Sequence, residues 1–338
     1  GNDGTSGETD ATTTDATTTT ESTTAESTTA ETTTTATDAT FGTGTSRAPF
    51  VDAPPGPATI RSDRIVVDGK RAPLDPRYWD ATTDGGGKLS RFRSYRLHSH
   101  LFLSHPHGDA GAIHTLLDTY IILLRTEPNA WSTHPLSLRL IQWVRYARGR
   151  GADSRLPRLF DLALRLQADH LRSHIEWETD GNHLIDNAVA LILAGWYLRS
   201  PYHGKRGLRI LLREIDSQLL PSGLHYERSP MYHRLVLERI LDAIAVTASS
   251  AVRTHLGTYA RSMMLHFCRT EEEPPALNDT IPHLAPGAEA LRAYAASVGV
   301  PVPDSGVDRD YAPGTPTVTA PALIPARRGP FRVLFDAD

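Results

Sequence analysis

From Leu184 to Trp196 the sequence is almost wholly apolar, with Leu184, Ile185, Ala188, Val189, Leu191, Ile192, Ala194 and Trp196 at helical spacing. A helix that is apolar nearly all round has to be buried on every side. A bilayer is excluded as the medium, because neither this run nor any other reaches the ~20 consecutive apolar residues of a span. The rest of the body is therefore expected to pack around this helix.

The chain supplies the helices to do so. Apolar periodicity predicts helices near 107–125, 135–148, 155–177, 182–198, 205–219, 230–249, 252–267 and 287–298. Breakers separate them, at Pro128, Pro135, Gly149-Arg-Gly151, Gly181, Pro201, Pro221-Ser-Gly223, Pro230 and Pro274-Pro275. Short connections imply antiparallel neighbours. No crisp repeat is present, which favours an irregular α/α toroid over a regular solenoid. Residues 48–105 are rich in Pro and Gly and offer one β-like run, Arg64-Ile-Val-Val-Asp68, so an irregular lead-in is expected there. Residues 1–47 are Thr, Ala, Ser, Gly and acids with Phe41 the only large apolar side chain, a composition that predicts a disordered tail.

Two polar clusters stand directly before apolar helices: Thr179-Asp180-Gly181-Asn182-His183, and Gly223-Leu-His-Tyr-Glu-Arg-Ser-Pro-Met-Tyr-His233. Ser229 has the chemistry of an N-cap with Pro230 at the first helical position, and Asn182 is read as a second N-cap. Both clusters thus fall at helix N-termini, where free N–H groups and the dipole favour anions.

Together the stretch Asp180-Gly-Asn-His-Leu-Ile-Asp-Asn-Ala-Val-Ala-Leu191 and the cluster 223–233 resemble the heparinase II/III family of polysaccharide lyases, and Pro275-Ala-Leu-Asn-Asp279 resembles a later element of it. The resemblance runs from about Pro106 to the C-terminus. It implies an all-α, incomplete (α/α) toroid over 106–315, followed by an antiparallel β-sandwich. Only its first strand is expected here, within 316–338 at Gly329-Pro-Phe-Arg-Val-Leu-Phe335. The chain is then expected to be a fragment whose partner is its own missing C-terminal β-domain.

The activity implied is β-elimination on a uronic acid, which removes the C5 proton and expels the C4 oxygen. That chemistry needs a donor on the uronate carboxylate, a base and an acid. Asn182 is the candidate donor. Tyr232, in the first turn of its helix, is a candidate base, acid or both, with a pKa expected to be lowered by the helix dipole. His183 shares the proton transfers or binds the carboxylate; alternatively its hydrogen bonding, with that of Asn187 one turn later, is structural. His225, Tyr226, Glu227, His233 and Asn187 are the candidate substrate-binding residues. Two other readings remain open. One is an inverting glycoside hydrolase using Asp180 or Glu178 with Glu227, at a spacing of roughly 6.5–9.5 Å. The other is a non-catalytic polysaccharide-binding scaffold.

Charge and cysteine content narrow the partners. Eight acids against Arg47 give the tail −7, and the whole chain carries −4, so the remainder carries +3. Such a body would not repel an anionic polysaccharide, the expected substrate; neither nucleic acid nor membrane is expected as a partner. The single Cys268 excludes a disulfide framework and sits among Met263, Met264, Leu265 and Phe267 as a buried structural thiol. His98, His100, His105, His107, Asp109 and His114 show no standard ligand spacing, so neither metal nor cofactor is expected. Trp131 and His134 are a candidate sugar-stacking platform. The Thr-rich tail suits a solvated spacer on a secreted or periplasmic protein.

Overall fold

The computed structural model of the chain describes residues 50, 58–61, 63–67, 69–79, 83–84, 87–88, 91–104, 110–149, 156–179, 181–266, 273–303, 323–328 and 331–336. The 1–47 tail and His105, His107, Asp109, Asp180 and Cys268, each singled out in the sequence, lie outside these residues.

In chain order the elements are β1 (Ala58–Ile60), β2 (Arg64–Val67), β3 (Lys70–Pro73), β4 (Thr83–Asp84), β5 (Gly87–Lys88), α1 (Arg91–His98), α2 (Ala110–Leu123), α3 (Thr133–Gly149), α4 (Phe160–Ser173), α5 (Asn182–Tyr197), α6 (Pro201–Gln218), α7 (Pro230–Val246), α8 (Ser250–Met263), α9 (Ala288–Ser297), β6 (Leu323–Arg328) and β7 (Phe331–Asp336). The apolar run does become the central helix: Ile185 and every residue from Asn187 to Ala194 is fully buried. Burying one such Leu or Ile side chain contributes about 1.5–3 kcal/mol.

The packing is that of an α-rich toroid with two helical layers. α3, α5 and α7 pack on one another in an inner layer, while α2, α4 and α6 follow one another outside. Each connection reverses the chain, so the inner helices run the same way and present their N-termini, at Thr133, Asn182 and Pro230, at one end. The α5–α6 pair is the tightest. A Cβ on Gly195 would lie 2.4 Å from the Gly204 nitrogen, and one on Gly207 2.4 Å from the Ala188 carbonyl oxygen. Only glycine permits that approach.

Several boundaries differ from the sequence expectation. Pro201 does mark the break between α5 and α6, but α6 begins at it and not at 205, because at the first helical position its missing N–H costs nothing. α4 stops at Ser173, because the backbone of Glu176 is taken up by a side chain of α5 instead of by a helical carbonyl. The lead-in is more ordered than its Pro and Gly content implied. β1, β2 and β3 form an antiparallel sheet, paired Thr59 with Val66 and Val66 with Arg71. Ile65, Val67 and Trp79 are fully buried in the core shared with the helices. Trp79 packs edge-on against His98 and His100, and its indole donates to the Pro73 carbonyl at 3.0 Å. Strands of three or four residues and a helix as basic as α1 leave almost no periodic signal. At the other end β6 pairs antiparallel with β7, so the expected strand is half of a hairpin.

A candidate active site at the inner-helix N-termini

The first polar cluster turns at Gly181, whose φ of 61° and ψ of −149° are open to glycine and strained for other residues. Gly181, and not Asn182, is the N-cap of α5; Asn182 is the first helical residue, which corrects the reading of it as a cap. The carbonyl of Gly181 accepts from Gln218 Nε2 at 2.9 Å, which ties the C-terminus of α6 to this turn. A Cβ at Gly181 would meet Glu227 Oε1 at 2.7 Å and the Tyr226 hydroxyl at 3.2 Å. The absent side chain is what lets the second cluster close over the first.

His183 is half-buried beside this contact. Its Nδ1 lies 3.5 Å from Glu176 Oε2, and its ring stacks on that of His134 with centroids 3.6 Å apart. Burial alone would depress its pKa, but Glu176, with Asp186 and Glu227 farther off, outweighs burial and raises it above the usual histidine value. Burial would likewise raise Glu176, yet His183, His134 and the Asn187 amide hold it below the usual carboxylate range. Asn187 is fully buried and entirely occupied. Its Oδ1 accepts from Glu176 N at 3.1 Å, and its Nδ2 donates to Ser137 Oγ at 3.1 Å and Glu176 Oε2 at 3.3 Å. It holds Glu176 in place, so the substrate-binding role read for Asn187 is withdrawn.

The second cluster divides in two. His225 and His233 are buried and bonded inward: His225 N donates to His233 Nδ1 at 3.3 Å, and His233 Nε2 donates to the Met263 carbonyl at 2.9 Å. His225 Nε2 pairs with Gln218 Oε1 at 3.1 Å. Burial lowers His225 to about 4 and His233 to about 3, so both are neutral and belong to the packing rather than the cleft wall. Their place as substrate-binding residues is corrected accordingly. Tyr226 and Glu227 do face the turn at Gly181.

Ser229 caps α7 as expected, its Oγ accepting from Tyr232 N at 3.4 Å. The Tyr232 pKa runs opposite to the expectation: burial, then the carboxylates of Glu227 and Asp279, raise it. Tyr232 thus keeps its proton. Asp279 comes from the third stretch singled out in the sequence, which docks against this helix start. Asn278 Nδ2 donates to the Arg228 carbonyl at 2.9 Å, and Thr280 Oγ1 lies 3.0 Å from Ser229 Oγ. The charge of Glu227 acts on both His183 and Tyr232, which makes it their common neighbour.

Behind the site runs a polar network that the sequence reading missed. His134, from the start of α3, bonds the Tyr95 hydroxyl through Nδ1 and Asp186 Oδ2 through Nε2 at 2.8 Å. Asp186 also accepts from Arg239 Nε at 2.7 Å. Burial would raise the Asp186 carboxyl, but Arg239 and His134 pull it down to about 2. Arg239 reaches Glu238 at 3.0 Å, and Arg145 reaches Glu238 at 2.8 Å and Asp242 at 2.6 Å, so α3, α5 and α7 are cross-linked through charge. The signal was available, since Asp186, Glu238, Arg239 and Asp242 interrupt the apolar runs of two helices.

Other candidates resolve into packing. His98 bonds the Tyr120 hydroxyl at 2.8 Å, and His100 accepts from the Trp143 indole at 3.0 Å. Trp131 donates to the Leu124 carbonyl and lies against His170, while His134 sits beneath His183 and is buried. Glu178 is exposed. Among the described residues no group of three metal-ligating side chains converges, and no helix is long and apolar enough to cross a membrane.

The layered helices define an α-rich toroid whose inner layer ends in polar residues. Residues 130–280 match the family model of the heparinase II/III N-terminus. A crystal structure of heparinase III superposes with a TM-score of 0.51 at 19% identity, covering 67% of this chain and 38% of that one. The heparan sulfate lyase HepC from Pedobacter heparinus gives a TM-score of 0.41 at 16% identity, over 60% of this chain and 36% of that one. The chain thus spans well under half the length of these structures. No curated protein matches it.

Proposed function

We propose that this chain is the helical part of a polysaccharide lyase that cleaves a uronic-acid polymer by β-elimination, with Asn182, His183 and Tyr232 as its catalytic residues. One observation carries the reading: three separate sequence stretches, 176–187, 223–233 and 275–280, meet near Glu227, whose charge acts on both His183 and Tyr232.

In this reading the Asn182 amide, at the first turn of α5, donates to the uronate carboxylate as charge develops on it. Glu176, 3.5 Å from His183 Nδ1, pairs with that side of the ring by charge and leaves Nε2 to take the C5 proton. The C5–H electron pair becomes the C4–C5 double bond, the C4–O bond breaks, and the leaving oxygen takes the Tyr232 proton. The raised Tyr232 pKa suits an acid at neutral pH better than a base. Tyr226 and Glu227 line the cleft. The β6–β7 hairpin is then the start of a β-domain that completes it. The heparan sulfate named for HepC is one such uronate polymer; alginate-like polymers fit the same chemistry, and the site of action is secreted or periplasmic.

The test uses the natural protein that contains this chain, incubated with heparan sulfate and with alginate while the ultraviolet absorbance of the C4–C5 double bond is followed. Tyr232→Phe should lower kcat by about 10²–10⁴-fold and keep the fold. Release of reducing ends with no rise in ultraviolet absorbance, undiminished in Tyr232→Phe and lost in a folded Glu227→Gln, would instead favour the hydrolase.

A further inference from the structure

The outer face of α6 carries an open pocket of about 340 Å³ that the elimination chemistry does not use, lined by Arg172, Pro201, Tyr202, Lys205, Arg206 and Arg209. Four of its six lining residues are basic and none is acidic. Nearby carboxylates are engaged elsewhere: Asp169 pairs with His203 at 2.8 Å, and Glu214 with Arg213 at 2.5 Å. Burial, then the charges of Arg209, Arg172 and Arg213, push the Arg206 pKa down, so the cations repel one another. Arg172 Nε is shielded from solvent and makes no hydrogen bond.

Two exposed aromatic rings accompany the cations. The Arg172 guanidinium lies 3.6 Å over the ring of Tyr202, which is 57% exposed, and Arg213 lies 4.6 Å over Trp177, which is 42% exposed. Flat apolar faces between cations are what a sugar ring bearing sulfate or carboxylate can use, since the ring stacks while the anions take the guanidinium forks. Clustered cations of this kind cost stability when empty, and an anionic ligand would offset it.

We propose that this face is a second, non-catalytic binding site for an anionic polysaccharide, holding a stretch of the polymer remote from the bond being cleaved. The identity of the polymer rests on the lyase reading; the site does not. Its position fits the role. The α6 residues of the pocket from Tyr202 to Arg209 lie sixteen to nine residues before Gln218, which bonds the turn at Gly181, so the pocket spans about 14–24 Å from that turn along α6 at 1.5 Å per residue. Trp177 is next to Glu176 in the sequence and contacts Arg213 on the way, so a strand leaving the pocket passes Trp177 before reaching His183.

The experiment measures binding of a heparin polymer to the chain as a function of salt, for the wild type, for Arg172→Gln/Arg206→Gln/Arg209→Gln and for the matching Arg→Lys triple, with circular dichroism confirming the fold. Counterion release makes the log–log salt slope fall by roughly 0.7 for each cation–anion pair removed, as for single-stranded polyanions, so the Gln triple should drop by about 2 units and weaken at least tenfold in affinity. The Lys triple should keep the slope. Wild-type binding that is absent, or unchanged in the Gln triple, would overturn the site; tighter binding of a thymidine oligonucleotide of equal charge would overturn its assignment to saccharide. In the natural protein, the Gln triple should raise KM for the polymer and leave turnover of a heparin tetrasaccharide unchanged. If Tyr232→Phe stays fully active while the Gln triple no longer holds heparin, the lyase reading fails and the site stands; the reverse pattern removes the site alone.

Discussion

Gly207→Ala tests whether the spacing of α5 and α6 is as tight as described. The new methyl would sit 2.4 Å from the Ala188 carbonyl oxygen, 2.8 Å from the Ile192 nitrogen and 2.9 Å from Leu191 Cβ. Carbon–oxygen approaches normally begin near about 3.3 Å, so the helices must part by about 1 Å. The opposing oxygen and nitrogen are backbone atoms fixed by helical hydrogen bonds and cannot rotate away. Overpacking of this kind costs typically about 1–3 kcal/mol, and the upper end applies here; alanine's better helix propensity returns about 1 kcal/mol. The net expectation is a destabilisation of about 2 kcal/mol. Gly257→Ala is the internal control, because in α8 the same methyl meets only Val300 Cγ2 at 4.0 Å and should stabilise by about 0.5–1 kcal/mol. Urea unfolding of both variants gives the two differences. If Gly207→Ala is as stable as the wild type, or both substitutions shift stability in the same direction, the close approach and the reasoning built on it are wrong.

Other outcomes follow from the charged interior and the site. Arg239→Met leaves Asp186 and Glu238 short of a buried partner and should cost about 3–5 kcal/mol by denaturant unfolding; a cost below about 1 kcal/mol would mean that water or rearrangement satisfies them. His225 and His233 take up protons near about pH 6.5 when unfolded but only near 4 and 3 when folded. The unfolded state therefore binds more protons between those values, and stability that is full above about pH 6.5 should fall by roughly 3–4 kcal/mol on going to about pH 5; a flat profile over that range would show that neither histidine is held neutral. For the proposed elimination, kcat/KM should rise with pH through a value above the ordinary histidine pKa, and Glu176→Gln should move that limb to lower pH. Asn182→Ala should lower kcat by roughly 3–4 kcal/mol of transition-state stabilisation and leave stability nearly unchanged, since Gly181 is the cap.

The sequence announced its helices where apolar spacing was strong, as in α5 and α7, and the cap at Ser229 where the local chemistry was self-contained. It was silent where structure is decided by distant partners. β1 and β3 exist because β2 lies between them, and nothing in Lys70-Arg-Ala-Pro73 reports that neighbour. The same limit governed the site. Motif spacing singled out Asn182, His183 and Tyr232, but whether a histidine in those motifs faces solvent or the core depends on the fold, and His225, His233 and Asn187 turn inward. The Tyr232 shift followed the same rule: a dipole is a property of one helix, whereas burial and the charge of Asp279 come from elsewhere in the chain.

The course of α6 has one more consequence, for how a polymer would be measured. The basic face and Gln218, which bonds the cleft turn, lie on one helix, so their separation along it is set by the helical rise. A saccharide chain shorter than that span gains nothing from the outer face, and one long enough gains the full effective concentration of a second attachment. On the proposed second site α6 would act as a ruler, and affinity should rise once the saccharide is long enough to span it.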